Sequence, residues 1–189
     1  MKKKVIIVLA AVGGLAVAGS EAAAQGTPYF KAPVGMNGTG CGPSDDISIT
    51  GENSAEMTIK FTASKFDAGN GKPSASGNGR SSCNFAVPIH VPSGFQVSLL
   101  TADWTGFAEG ETEFSRRYFF AGRSVPPVTS KPESGKNFTY TDGRLDGSYS
   151  KCGGGDVQFR INSGVWAKSN PSHILIQMGT FRLKWQKCQ

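Results

Sequence analysis

Four cysteines, Cys41, Cys83, Cys152 and Cys188, follow an N-terminus built like an export signal. None is close enough to another for a CxxC. In an exported chain, an even number of widely spaced thiols reads as two disulfides rather than a metal site. That constrains the architecture and the compartment, and leaves the activity open. Four cysteines allow three pairings, and sequence alone does not choose among them. Pairing of neighbours, Cys41–Cys83 with Cys152–Cys188, brackets two compact strand–loop units and is the preferred expectation. Its rival, Cys41–Cys188 with Cys83–Cys152, ties the first strand to the last.

The disulfide reading depends on export. Lys2, Lys3 and Lys4 form a charged leader, residues 5–18 are apolar or small throughout, and Ala22-Ala23-Ala24 supplies an A-x-A cleavage site. The apolar run is about 14 residues, short of the roughly 20 that span a bilayer as a helix. Residues 1–24 are therefore expected to be a signal peptide, 25–40 an N-terminal extension, and 41–189 the folded domain. The expected location is secreted or extracytoplasmic, with no transmembrane segment in the mature chain. Taking 24 residues from 189 leaves 165, enough for one domain with a substantial core.

Cleavage also removes three lysines and Glu21, so the charge balance falls from 20 basic and 14 acidic residues to 17 and 13, or +4. Arg116-Arg117 is the one adjacent basic pair beyond the signal. Nucleic-acid binding calls for a basic stripe with readout elements; this excess is small and scattered, so no nucleic-acid partner is expected.

Strand periodicity dominates the rest. Ile47 and Ile49, then Met57, Ile59 and Phe61, alternate with polar residues, as do Val157, Phe159 and Ile161, and Phe181, Leu183 and Trp185. A period of two places apolar side chains on one face of an antiparallel sheet. Further strands are expected at 84–91, 95–102, 114–120 and 174–178. Asn70-Gly71, Asn78-Gly79, Asp142-Gly143 and Asp146-Gly147 supply turn chemistry, and 68–82 and 122–136 read as surface loops. Short punctuated strands without helical periodicity predict an all-β, single-domain antiparallel β-sandwich with two disulfides, with a β-barrel as the alternative.

An ordered set of strings supports a family resemblance. Gly38-Thr39-Gly40-Cys41 is followed by Ser82-Cys83-Asn84 and by the run from Pro88 to Gln96 that contains His90, Pro92, Gly94 and Phe95. Tyr118-Phe119-Phe120-Ala121-Gly122, Lys151-Cys152-Gly153 and Lys184-Trp185-Gln186-Lys187-Cys188 then follow in order. The chain resembles the domain of unknown function 4360 family of small secreted proteins, over roughly residues 36–188. That resemblance implies export and disulfides and carries over no catalytic residue.

Candidate chemistries are few. His90 and His173 are the two histidines, and neither an HExxH nor a CxxC accompanies them, so no metal is expected. The glycine clusters match neither phosphate-binding nor dinucleotide patterns, and no cofactor is expected. A nucleophile elbow is missing. Carboxylates at Asp45, Asp46, Asp103, Glu109, Glu111, Glu113, Asp142, Asp146 and Asp156 permit a glycosidase-like pair, although solvated charges are the plainer account. The tryptophans offer a platform for sugar rings. Trp185 alternates with core residues, whereas Trp104, between Asp103 and Thr105, after the expected strand 95–102 and beside a bend expected at Gly106, is the best candidate for exposure; core or edge packing is the heavier reading, because tryptophan is mostly buried. Asp103, Trp104 and Phe107 are thus the candidate ligand-binding residues. The favoured function is a non-enzymatic secreted protein that binds an envelope polymer, glycan or protein, and the alternative is a small extracellular glycan hydrolase. Asn37-Gly38-Thr39 and Asn137-Phe138-Thr139 are glycosylation sequons.

Overall fold

The strand pairing of a computed structural model divides the chain between two antiparallel sheets that do not close on each other. It describes residues 26–42, 47–62, 65–74, 79–123, 125–143 and 149–189. The expected signal peptide and the carboxylates Asp45, Asp46 and Asp146 lie outside them. Among the described residues there is no helix, and so none long and apolar enough to cross a membrane.

The first sheet contains β1 (Tyr29–Phe30), β2 (Gly35–Asn37), β6 (Arg80–Val91), β8 (Thr112–Phe120), β9 (Val128–Ser130) and β11 (Gly155–Ala167). Its order is β1-β6-β11-β8-β9, with β2 also on β6. The second contains β3 (Ile47–Thr50), β4 (Glu56–Phe61), β5 (Phe66–Asn70), β7 (Phe95–Glu109), β10 (Lys136–Gly143) and β12 (Ser172–Lys187). It runs β10-β7-β12-β4-β3, with β5 also on β12. Alternation sets which side chains meet between the layers: Phe85, Val87, Ile89, Phe114, Phe159 and Ile161 from the first sheet, and Met57, Ile59, Ile174, Ile176 and Phe181 from the second, are buried. The sandwich is as expected, and the chain is not a barrel.

Several local expectations change. Residues 25–40 were expected as an extension, yet β1 and β2 pair with β6, and Phe30 is fully buried. The expected loop 68–82 begins inside β5, where Ala68 is fully buried, and ends inside β6; loop 122–136 contains β9. Trp185, expected in the core, is 38% exposed because no residue of β12 beyond Leu183 is buried.

Both disulfides join neighbouring cysteines, Cys41–Cys83 and Cys152–Cys188, with Cα–Cα separations of 5.1 and 5.7 Å. The first fastens the segment after β2 to the buried side of β6. The second joins the residues just before β11 to those just after β12, linking the two sheets at one end.

A buried polar cluster joins the sheets elsewhere. Arg116 of β8 donates through Nε and Nη2 to both carboxylate oxygens of Asp142 on β10, at 2.8 and 2.6 Å. Their side chains are 1% and 7% exposed. Tyr118 donates its hydroxyl to Asp142 at 2.5 Å and accepts the indole N–H of Trp104 at the same distance. Nη1 of Arg116 donates to the Phe114 carbonyl and to Ser130 Oγ, both at 3.0 Å. Burial alone lowers the guanidinium pKa, but the hydrogen bond and charge of Asp142 outweigh it and hold Arg116 above its ordinary value. Burial, reinforced by the same carboxylate, pushes the Tyr118 phenol well above its usual value.

Candidate functional site

The outer face of the first sheet is organised into cross-strand rows. On β6 and β11 the odd-numbered residues point into the core, as do the even-numbered residues of β8. The pairing register aligns the outward side chains. Arg80, Trp166 and Glu113 form one row; Ser82, Gly164 and Ser115 form the next; Asn84, Asn162 and Arg117 form a third. Asn37 of β2 extends the third row, accepting from Asn84 Nδ2 through its side-chain oxygen at 3.3 Å. One face therefore carries an aromatic row, a hydroxyl row and an amide row, each offset from the next by two residues.

Trp166 stands at the end of this series, 36% exposed. The guanidinium carbon of Arg80 lies 3.8 Å and the ammonium of Lys168 4.4 Å from its ring centroid. Both are close enough for cation–π attraction. Lys168 also pairs with Glu113. Beside the ring opens a trough of about 430 Å³, bordered by Thr39, Arg80, Ser82, Glu113, Ser115 and Gly164. Gly164 keeps it open: a Cβ there meets nothing nearer than the Ser81 carbonyl at 3.6 Å, an ordinary contact. Packing therefore does not demand glycine at this position, and any larger side chain fills the trough. The Cys41–Cys83 bridge anchors the segment carrying Thr39, whose Oγ1 accepts the Ser82 N–H at 3.2 Å.

The residues expected at the site lie elsewhere. Trp104 is fully buried, with its ring edge-on to Phe114 and Phe181 at centroid distances of 5.3 Å. The expectation that it sits exposed in a loop is corrected: β7 continues through it to Glu109, and its even number puts it on the core side. Asp103 and Phe107 point the other way, onto the outer face of the second sheet. Asp103 is held there by Arg182 and by Thr141 Oγ1, the latter at 2.7 Å. Phe107 is half-buried, paired in register with Asn137 and Leu175. The three do not converge. Trp166, one of the tryptophans considered for the platform, was passed over for Trp104, although a signal favoured it: Val157, Phe159, Ile161 and Val165 share one parity, which turns Trp166 outward.

Among the described residues two carboxylates, Glu56 and Asp103, converge on Arg182, and others are taken up singly. Glu109 pairs with Lys72, Glu113 with Lys168, Asp142 with Arg116, and Asp156 with Lys31 at 2.7 Å. His90 Nδ1 lies 3.3 Å from Asp156 and His173 Nε2 lies 3.2 Å from Asp67. Among the described residues no three His, Cys, Asp or Glu side chains gather as a metal site requires.

Fold, disulfides and outward rows together define a cross-linked β-sandwich with one structured polar face. By sequence, the chain belongs to the family described as domain of unknown function DUF4360, whose model matches residues 32–188. No curated protein matches the sequence. Among solved structures, TmCBM61 in complex with beta-1,4-galactotriose overlaps at a TM-score of 0.34 and 10% identity, covering 82% of this chain and 90% of that one. The family 11 carbohydrate-binding module from Clostridium thermocellum overlaps at 0.24 and 11%, covering 82% and 95%. Tailspike protein 4 of bacteriophage CBA120 overlaps at 0.26 and 11%, where this chain spans 19% of that one. Overlaps this loose carry no information on what the present chain binds.

Proposed function

We propose that this protein is a secreted, non-catalytic glycan-binding protein that uses the outer face of the first sheet around Trp166. The observation that carries the reading is the exposed indole beside an open trough bordered by the hydroxyl row, with the amide row next along the same face. A sugar ring presents an apolar C–H face that stacks on an aromatic ring and a hydroxyl rim that needs donors and acceptors; the indole offers its ring once the Arg80 guanidinium swings off it toward the ligand, and the trough offers hydroxyls. The signal-like residues 1–24 and the two disulfides support secretion. The hydrolase alternative lacks comparable support, because Glu113 alone among the described carboxylates borders the trough, and Lys168 occupies it.

A glycan array probed with the oxidised protein, followed by calorimetry on the hits, tests this. Loss of one aromatic stack costs about 0.5–1.5 kcal/mol, so Trp166→Ala weakens a hit about 2- to 12-fold. Gly164→Val, which fills the trough, weakens it at least as much. A folded Trp166→Ala variant with undiminished affinity overturns the site. A native protein that retains Met1 overturns secretion through residues 1–24.

A further inference from the structure

Among the described residues, the arginines on this face have no carboxylate partner. Arg116 is spent inside the core on Asp142, and Arg182 sits on the outer face of the second sheet between Glu56 and Asp103. Arg80, Arg117 and Arg160 all point outward from the first sheet, and none has a carboxylate partner among the described residues. The acids sharing that face are already paired, Glu113 with Lys168 and Asp156 with Lys31.

Arg117 and Arg160 are also close neighbours. Arg117 pairs in register with Asn162 and Phe119 with Arg160, which makes the two arginines diagonal neighbours on one face. Such positions lie about 7–8 Å apart. Like charges directly opposite on a sheet are destabilising, a diagonal pair repels more weakly, and an anion between the two relieves it. Guanidinium groups suit carboxylate and phosphate in particular, because their fork of N–H groups donates to two oxygens at once. Arg80 marks a second cationic position, four residues further along the strands, or about 13 Å. Between the rows of Arg117 and Arg80 lies the hydroxyl row, and the amide row is the one that carries Arg117.

We infer that the ligand is an anionic polyhydroxyl polymer, carrying a carboxylate or phosphate on its repeating unit and lying along the strands from Arg117 and Arg160 to Arg80. This deepens the glycan-binding reading and rests on it. The indole and the trough bind the neutral part of a repeat, and the unpaired arginines bind its charges.

The test compares polygalacturonate, the same polymer fully methyl-esterified, poly(glycerol phosphate) and a single-stranded oligonucleotide, each titrated against the oxidised protein. Expected is binding of polygalacturonate or of poly(glycerol phosphate), the tighter one identifying the anion, with weakening as salt is raised. Arg117→Ala and Arg160→Ala each lower that affinity about 3- to 5-fold. Arg160→Ala leaves binding of a neutral array hit unaltered. Equal affinity for acid and ester, unaffected by either substitution, overturns the charge inference and leaves the glycan reading standing. If no glycan on the array binds either, both fall. An oligonucleotide bound as tightly as the polysaccharide overturns the inference, because the face then reads charge alone.

Discussion

Replacing Asp142 with asparagine isolates the buried link between the sheets. Three donors converge on its two oxygens: Nε and Nη2 of Arg116 and the hydroxyl of Tyr118. Asparagine keeps the shape but offers one acceptor, and turns an amide donor toward groups that are themselves donors. Arg116, 1% exposed, then keeps its charge without a counter-ion. Breaking one member of a buried pair costs about 3–5 kcal/mol. With a urea slope of about 2 kcal/mol/M, the unfolding midpoint falls by about 1.5–2.5 M at unchanged slope. Arg116→Met alone is similarly costly, since it leaves Asp142 buried with only Tyr118. The double variant, Arg116→Met with Asp142→Leu, lies within about 2 kcal/mol of the native protein, because apolar groups can replace a buried pair at little cost. Urea unfolding of the native protein, Arg116→Met, Asp142→Leu and the double variant, disulfides intact, yields the coupling energy. Two results refute the reasoning: a single substitution costing under about 1 kcal/mol, or a double variant as unstable as the sum of the singles.

Removing the second disulfide through Cys152→Ala with Cys188→Ala opens a loop of 36 residues and lowers stability by about 4 kcal/mol on the chain-entropy model, measured as a shift in urea midpoint; non-reducing peptide maps of the native protein show Cys41–Cys83 and Cys152–Cys188. Trp104→Phe removes the indole donor to Tyr118 and destabilises by about 1–3 kcal/mol while glycan affinity stays constant; a binding loss without a stability loss argues against its core role. The Lys31 hydrogen bond holds the Asp156 carboxyl below its ordinary 3.8, and the same contact holds Lys31 above 10.5. A depressed carboxylate stabilises above its unfolded value and loses that contribution as pH falls through the folded one; a raised lysine loses its contribution as pH rises through its own. The tie between Lys31 and β11 is therefore complete between about 3.8 and 10.5, and an NMR titration of Asp156 returns toward the ordinary value in Lys31→Ala.

The core-facing strands were legible because apolar side chains recur at most second positions of β4, β6, β8 and β11, interrupted only by single polar residues such as Arg116 in β8 and Ser163 in β11. The candidate site was misread at one residue. Gly106 looked like a bend closing a strand at Ala102, yet it lies within β7. A Cβ there falls 2.3 Å from the Leu175 carbonyl and 2.6 Å from the Phe138 ring, so this glycine serves close packing rather than a turn. Reading it as a turn placed Trp104 in a loop and hid its parity. Asp142-Gly143 misled in the same way: a turn dipeptide by composition, it ends β10 with the aspartate half of the Arg116 pair. Arg116-Arg117 illustrates what composition cannot reveal. Two adjacent arginines on one strand point to opposite sides, one into the core and one to solvent. Long-range register, which assembled the Trp166 rows, is not encoded in any local stretch.

The Cys152–Cys188 bond has a consequence for survival outside a cell. β11 and β12 run consecutively, β11 between β6 and β8 and β12 between β7 and β4, and the bond closes them into a covalent loop through both layers. A protease that nicks the turn between Ala167 and Ser172 therefore releases no fragment. Both cut strands stay tethered at the far end and flanked by their neighbours. Damage to that turn is recorded in the chain as a clip, visible only after reduction, while the middle strand of each sheet keeps its place.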